Sequence, residues 1–174
     1  MTNKVAFLLA NDFEDSEMKN PYDAITKNGN EGVIISLEKG AELKGKQGTI
    51  AYTSHLSIDE AKPEDYEALI IPGGKSPAHL IGNEKVLEFV RHMDKRKKTI
   101  AAICHGPQLL EKAGLIQGRN LTAYPELHAE LNDAGGRYID NQVVVDDNWI
   151  TSRTPDDEPA FIEAIIKKLG VNAY

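Results

Sequence analysis

The chemistry in this chain starts from its only cysteine, Cys104, in the stretch Thr99-Ile100-Ala101-Ala102-Ile103-Cys104-His105-Gly106-Pro107-Gln108-Leu109-Leu110. Small and β-branched residues precede it, as in a buried strand. The chain then turns within two residues, and Gly106-Pro107 opens a helical pattern through Leu109, Leu110 and Ala113 that stops at Gly114. A nucleophile at such a strand-to-helix turn sits on strained backbone at the top of a sheet. The helix start directs N–H groups and the positive dipole end at the sulfur, which favours the thiolate. The plain alternative is an inert cysteine ending a core strand. His-Gly-Pro directly after the sulfur tips the reading towards a reactive thiol.

A cysteine nucleophile needs a proton carrier and donors for an oxyanion. Gly73 and Gly74 follow the apolar run Ala68-Leu69-Ile70-Ile71, and without a Cβ their N–H groups can come close to a reacting carbonyl. The His105 N–H is a further donor. After the first apolar run comes Asn11-Asp12-Phe13-Glu14-Asp15. A carboxyl from this turn, buried beside sulfur, would have a raised pKa and could donate a hydrogen bond to it. Spacing alone does not select Glu14 over its neighbours. Tyr124, before Pro125, is placed either to line the same pocket or to pack. His55, His79, His92 and His128 lack metal-ligand spacing, so no metal is expected.

These turns need a frame. Lys4 to Ala10 reads as a buried strand, followed by a helix to about Lys27 and a second strand over 33–37. Residues 39–58 alternate around glycines 40, 45 and 48 and read as a hairpin on the sheet edge. After Pro-Gly-Gly, Asn83 caps a helix carrying Val86, Leu87, Phe89, Val90 and Met93 on one face. Further on are short strands at 120–123, 138, 143–145 and 149–151, a helix over 125–134 and a closing helix over 155–169. Strands alternating with helices give an α/β fold with a mostly parallel sheet covered on both faces, whose sites lie at the carboxyl ends of strands. The 174 residues are expected to form a single domain, 1-174. A net charge of −7 argues against nucleic-acid binding. No apolar run approaches membrane length, and one cysteine suits a reducing compartment, so a cytoplasmic protein is expected.

Together these residues resemble the PfpI family of the ThiJ/PfpI superfamily, within the class I glutamine amidotransferase-like folds. The resemblance covers essentially the whole chain. It rests on Asn11 to Asp15, Ile71-Pro72-Gly73-Gly74, Ala102 to Gln108, Leu115-Ile116-Gln117-Gly118-Arg119, Asn132-Asp133-Ala134-Gly135, Val143 to Asp146 and Thr151 to Asp157, in family order. It implies a flavodoxin-like three-layer sandwich with Cys104 at a nucleophile elbow and His105 as catalytic histidine. It also implies Glu14 as the protonated carboxyl on the sulfur, and Gly73, Gly74 and the His105 amide as oxyanion donors. Homodimers are implied, with hexamers built from them in some members. One departure stands out: where the peptidase-type pattern has an acid shortly after Pro-Gly-Gly, this chain has Ala78.

The leading functional expectation is a cofactor-free enzyme acting on reactive dicarbonyls such as methylglyoxal, or on glycated protein. Cys104 would form a hemithioacetal and Glu14 would move the proton. The alternatives are a cysteine peptidase or amidase using Cys104 and His105, weakened by Ala78, and a non-enzymatic redox-sensing or chaperone-like stress protein. FMN is set aside, because an Asn-Asp-Phe-Glu-Asp turn would repel phosphate.

Overall fold

The computed structural model describes residues 3–170, and every structural statement here concerns them. The first strand, β1 (Lys4–Leu8), is shorter than the apolar run, because Leu9 and Ala10 already lead into the turn before helix α1 (Asp15–Lys27). Strand β2 (Glu31–Ser36) follows. Residues Glu42–Lys44 (β3) and Ala51–Thr53 (β4) form the expected hairpin, but as a separate two-stranded antiparallel sheet. Leu56–Ser57 (β5) joins the main sheet instead, parallel to β2.

Strand β6 (Ala68–Ile71) leads through Pro-Gly-Gly into a short helix absent from the sequence reading, α2 (Ser76–Leu80). Helix α3 (Glu84–Lys95) is capped by Asn83, whose side chain accepts from Lys85 N and Val86 N at 2.9 and 3.1 Å. Strand β7 (Thr99–Ile103) and helix α4 (Pro107–Lys112) flank Cys104. Strand β8 (Asn120–Leu121) pairs in parallel with β9 (Arg137–Tyr138), apart from the main sheet. The helix expected over 125–134 opens as a 3-10 turn, and only His128–Asp133 is α-helical (α5). Strands β10 (Val143–Asp146) and β11 (Trp149–Ser152) form a hairpin, and a 3-10 turn at Pro155–Asp157 leads into α6 (Glu158–Leu169).

The main sheet has the order β10-β11-β7-β6-β1-β2-β5, parallel except for β10 at the edge. Alternation sends side chains to both faces. Val5, Phe7 and Leu9 pack with Met18, Ile25, Phe161 and Ile165 on the α1 and α6 side. Ala6 and Leu8 pack with Val86, Val90, Met93 and Leu109 on the α3 and α4 side. No helix among the described residues is long and apolar enough to cross a membrane.

The chain leaves β1 towards β2 on one side and returns with β6 on the other. The strand order therefore reverses beside β1, where a crevice opens at the carboxyl ends. The turns after β1, β6 and β7 meet there. Their approach is close enough that a Cβ on Gly106 would run into the carbonyl oxygen of Ile71. Gly106→Ala is therefore expected to cost about 1–3 kcal/mol through overpacking, seen as a lowered thermal midpoint; an unchanged midpoint would show that the turn has slack.

Candidate active site

Cys104 has φ +64°, the left-handed region that costs a residue with a Cβ. Hydrogen bonds on both sides hold it there: its N–H donates to Ser152 O at 3.0 Å and its carbonyl accepts from Tyr124 N at 2.8 Å. The side chain lies in a cleft of about 540 Å³, shared with Glu14, Lys46, Gly74, Lys75, Ala78, His105, Gln108, Tyr124, Glu126 and Pro155. Cys104, His105, Glu14, Gly74 and Tyr124 thus meet in one place, with Gly73 directly behind.

The carboxyl buried against the cysteine is that of Glu17, one helical turn beyond Glu14. Glu17 is fully buried, and its Oε1 accepts the Gly73 N–H at 2.8 Å. A Cβ on Gly73 would lie 2.5 Å from Glu17 Oε1 and 2.7 Å from Cys104 Cβ, so the absence of that atom is what lets the two side chains share this corner. Glu17 Oε2 is buried with no hydrogen-bond partner among the described residues. Burial pushes the Glu17 carboxyl up to about 8; the Gly73 N–H opposes the shift, and the negative charges of Glu14 and Glu158 add to it. Glu17 is therefore protonated at neutral pH. The clue in the sequence was its place in the first turn of α1, three residues after the N-cap Glu14, but first-turn acids are also ordinary helix-dipole partners.

Glu14 occupies the cleft wall differently. Its Oε1 pairs with Lys46 Nζ at 3.0 Å, and its Oε2 accepts from Gln47 Nε2 at 3.3 Å. Lys46 was missed by sequence reasoning. It sits in the turn between β3 and β4, far from any motif. Asp15 brings that turn in by accepting Gln47 N at 2.8 Å, Thr49 N at 2.9 Å and Thr49 Oγ1 at 2.6 Å. Burial alone would raise the Asp15 carboxyl, but these donors outweigh it and hold it below its ordinary value. Lys46 N adds a bond to Phe13 O at 2.9 Å.

The sulfur itself departs from the expected low pKa. Burial, helped by the charge Glu17 carries once it ionises, pushes the Cys104 thiol up to about 12, against the N–H groups of Gly74 and His105 and the charge of Lys46. The resting group is a neutral thiol. His105 Nδ1 lies 3.4 Å from Sγ, and the ring stacks on Tyr124 with centroids 4.8 Å apart. Burial lowers the His105 pKa, and Lys46 lowers it further, while Glu126 and Glu130 oppose. His105 is thus a neutral imidazole able to accept the thiol proton. Ala78 lines the cleft without a carboxylate, and the acid facing His105 there is Glu126.

A cysteine held at a left-handed strand-to-helix turn, with a protonated carboxyl packed beneath it, marks the candidate site of this flavodoxin-like α/β sheet. The chain belongs to the DJ-1/PfpI family, whose sequence pattern matches residues 3–168. It is 43% identical over 171 residues to protein/nucleic acid deglycase 2 of Escherichia coli strain K12, covering 98% of this chain and 99% of that one. It is 44% identical over 162 residues to general stress protein 18 of Bacillus subtilis strain 168, covering 92% and 94%. Among solved structures, a two-domain protein from Anabaena variabilis with DJ-1/ThiJ/PfpI-like and ferritin-like domains superposes with a TM-score of 0.95 at 34% identity. That match covers 97% of this chain and 48% of the other.

The Glu17 proton makes a prediction about stability. Between its ordinary value of 4.5 and about 8 the folded chain keeps a proton that the unfolded chain releases. The stability it contributes is fully present below that range and is lost as pH rises through it. Glu17→Gln, a neutral mimic of the protonated acid, should flatten the decline of the thermal midpoint between about pH 5 and 8. At the upper end it should stand above wild type by on the order of a few kcal/mol. Parallel declines in both proteins would show that Glu17 ionises freely in the folded state.

Proposed function

We infer that the protein is a cysteine-dependent, stress-protective enzyme acting on reactive dicarbonyls such as methylglyoxal and on the early adducts they form with proteins. The observation that carries the reading is the arrangement of a neutral thiol, a neutral imidazole and a protonated carboxyl around one corner of the cleft. The relatives named as deglycases support the substrate class.

In the proposed reaction Cys104 Sγ attacks the aldehyde carbon as His105 Nδ1 takes the thiol proton. The N–H groups of Gly74 and His105, which reach the sulfur, would donate to the developing oxyanion, which then receives that proton to complete a hemithioacetal. His105, neutral again, removes hydrogen from the former aldehyde carbon while Glu17 protonates the neighbouring carbonyl oxygen, giving an enediol. Return of a proton to the second carbon, and loss of one from the first hydroxyl to Glu17, leaves a thioester. Water cleaves it to the 2-hydroxy acid and restores the thiol. The sum is one dicarbonyl plus one water to one hydroxy acid, with no oxidant or cofactor. Glu14 holds Lys46 at the cleft wall, which supports Glu17 rather than Glu14 as the proton carrier in this proposal.

Methylglyoxal consumption and hydroxy-acid release by purified variants test this. Cys104→Ala should lose at least about a thousandfold in kcat/KM, and Glu17→Gln about a hundredfold, with the fold intact by circular dichroism. Glu14→Gln, which unpairs Lys46, should cost less than Glu17→Gln. The reverse ranking would return the proton-carrying role to Glu14, and full turnover by Cys104→Ala would overturn the reading altogether.

A further inference from the structure

Behind the cleft, two acidic side chains meet where only one negative charge can be tolerated. Glu111 on α4 is nearly buried, with a side-chain exposure of 12%. Its Oε1 is buried, and no donor among the described residues reaches it. The Glu111 side chain meets the carboxyl of Glu130 on α5. Glu130 Oε2 in turn accepts from Gln108 Nε2 at 3.1 Å, and Gln108 lines the Cys104 cleft three residues before Glu111 on the same helix.

Two part-buried carboxylates face to face repel, and the one buried oxygen without a donor, Glu111 Oε1, is costly. A single proton between them removes both problems. We propose that Glu111 and Glu130 share one proton across the seam between α4 and α5 and act as positioning residues, fixing the Gln108 amide in the wall of the Cys104 cleft until that proton is lost. Burial first, and then Glu130, pushes the Glu111 carboxyl up to about 7, while hydrogen bonds from Glu111 and then Gln108 hold Glu130 below its ordinary value. The proton thus resides on Glu111 and leaves near neutrality.

Lys112 Nζ lies 3.5 Å from Glu111 Oε2 and favours the ionised form. His105 faces Glu130 from the turn before α4. From α3, Arg91 is turned to Ala113 O and Glu84, and from α2, His79 pairs with Asp12. Above the transition two negative charges stand at the seam. Repulsion from Glu111 then moves Glu130 away from the seam, which loosens its bond with Gln108, and His105 feels a more negative wall.

The proton sharing stands apart from the enzymatic reading, and only its kinetic consequence rests on that reading. The direct test is the side-chain amide resonance of Gln108, followed by NMR in the full chain across neutral pH. In wild type it should shift with a midpoint near that of Glu111. In Glu111→Gln, where an amide donates permanently to Glu130, it should stay constant. In Glu130→Gln, without the facing carboxylate, the Glu111 carbon resonance should titrate at lower pH. With methylglyoxal as probe, wild-type KM should rise by about threefold or more across the transition, and the Glu111→Gln KM should not. A Gln108 resonance that is flat in wild type, or that titrates alike in wild type and Glu111→Gln, overturns the inference. Absence of methylglyoxal turnover in a protein whose Gln108 titrates as expected would defeat the enzymatic reading and leave the shared proton standing.

Discussion

The site depends on one costly placement, a carboxyl sealed beneath a sulfur. Glu17 has no solvent exposure and a single donor, the Gly73 N–H. An ionised carboxylate with so little compensation is unfavourable in such a place, so the group keeps its proton. That choice dictates much around it. Gly73 has no room for a side chain, because Glu17 and Cys104 occupy the space one would take. Gly74 adopts φ +72° so that the turn after β6 can lie against Phe13. Cys104 accepts left-handed backbone so that its side chain points back to the α1 side of the sheet, where Glu17 waits.

Charge is then added by a separate device. The β3–β4 hairpin contributes nothing to the main sheet, yet its turn carries Lys46 to the cleft. Asp15 grips that turn through three hydrogen bonds, and Glu14 meets the lysine head. A partly exposed ion pair such as Lys46–Glu14 contributes little to stability, about 0–1 kcal/mol. Its effect is local: a fixed positive charge lowers both the Cys104 and the His105 pKa. Two acids one residue apart therefore do different work, Asp15 anchoring a loop and Glu14 orienting a cation.

Much of this was legible in the chain itself. Strand periodicity, the Asn83 cap and the glycine stops gave the parallel sheet and its helices, because buried strands and capped helices are local signals. The three site turns were recognisable because each follows an apolar run and carries Gly or polar residues. Which acid of Phe-Glu-Asp-Ser-Glu faces the sulfur was not legible. It depends on where α1 starts and how it rotates against the sheet, and one helical turn separates a cleft-wall residue from a buried one. Lys46 was hidden for a related reason: its turn is brought to the site by contacts between residues more than 30 apart, Gln47 and Thr49 with Asp15. The thiol pKa is raised because the turns after β1, β6 and β7 bury the sulfur, and that closure depends on contacts far apart in the chain.

A resting neutral thiol suits some reactions better than others. Adding a thiol to an aldehyde creates no net charge, since the proton leaving sulfur ends on the carbonyl oxygen and nothing departs. Cys104, His105 and Glu17 can each be neutral before and after that step, which a dry corner favours. Amide cleavage asks for more: an imidazolium must persist long enough to protonate a leaving amine, and a carboxylate normally supports it. Here burial and Lys46 lower the His105 pKa, and Ala78 supplies no charge. Glu126 opposes that lowering from the cleft rim without reversing it. The same burial that keeps the thiol protonated therefore supports the proposed aldehyde chemistry over peptide chemistry at this cysteine.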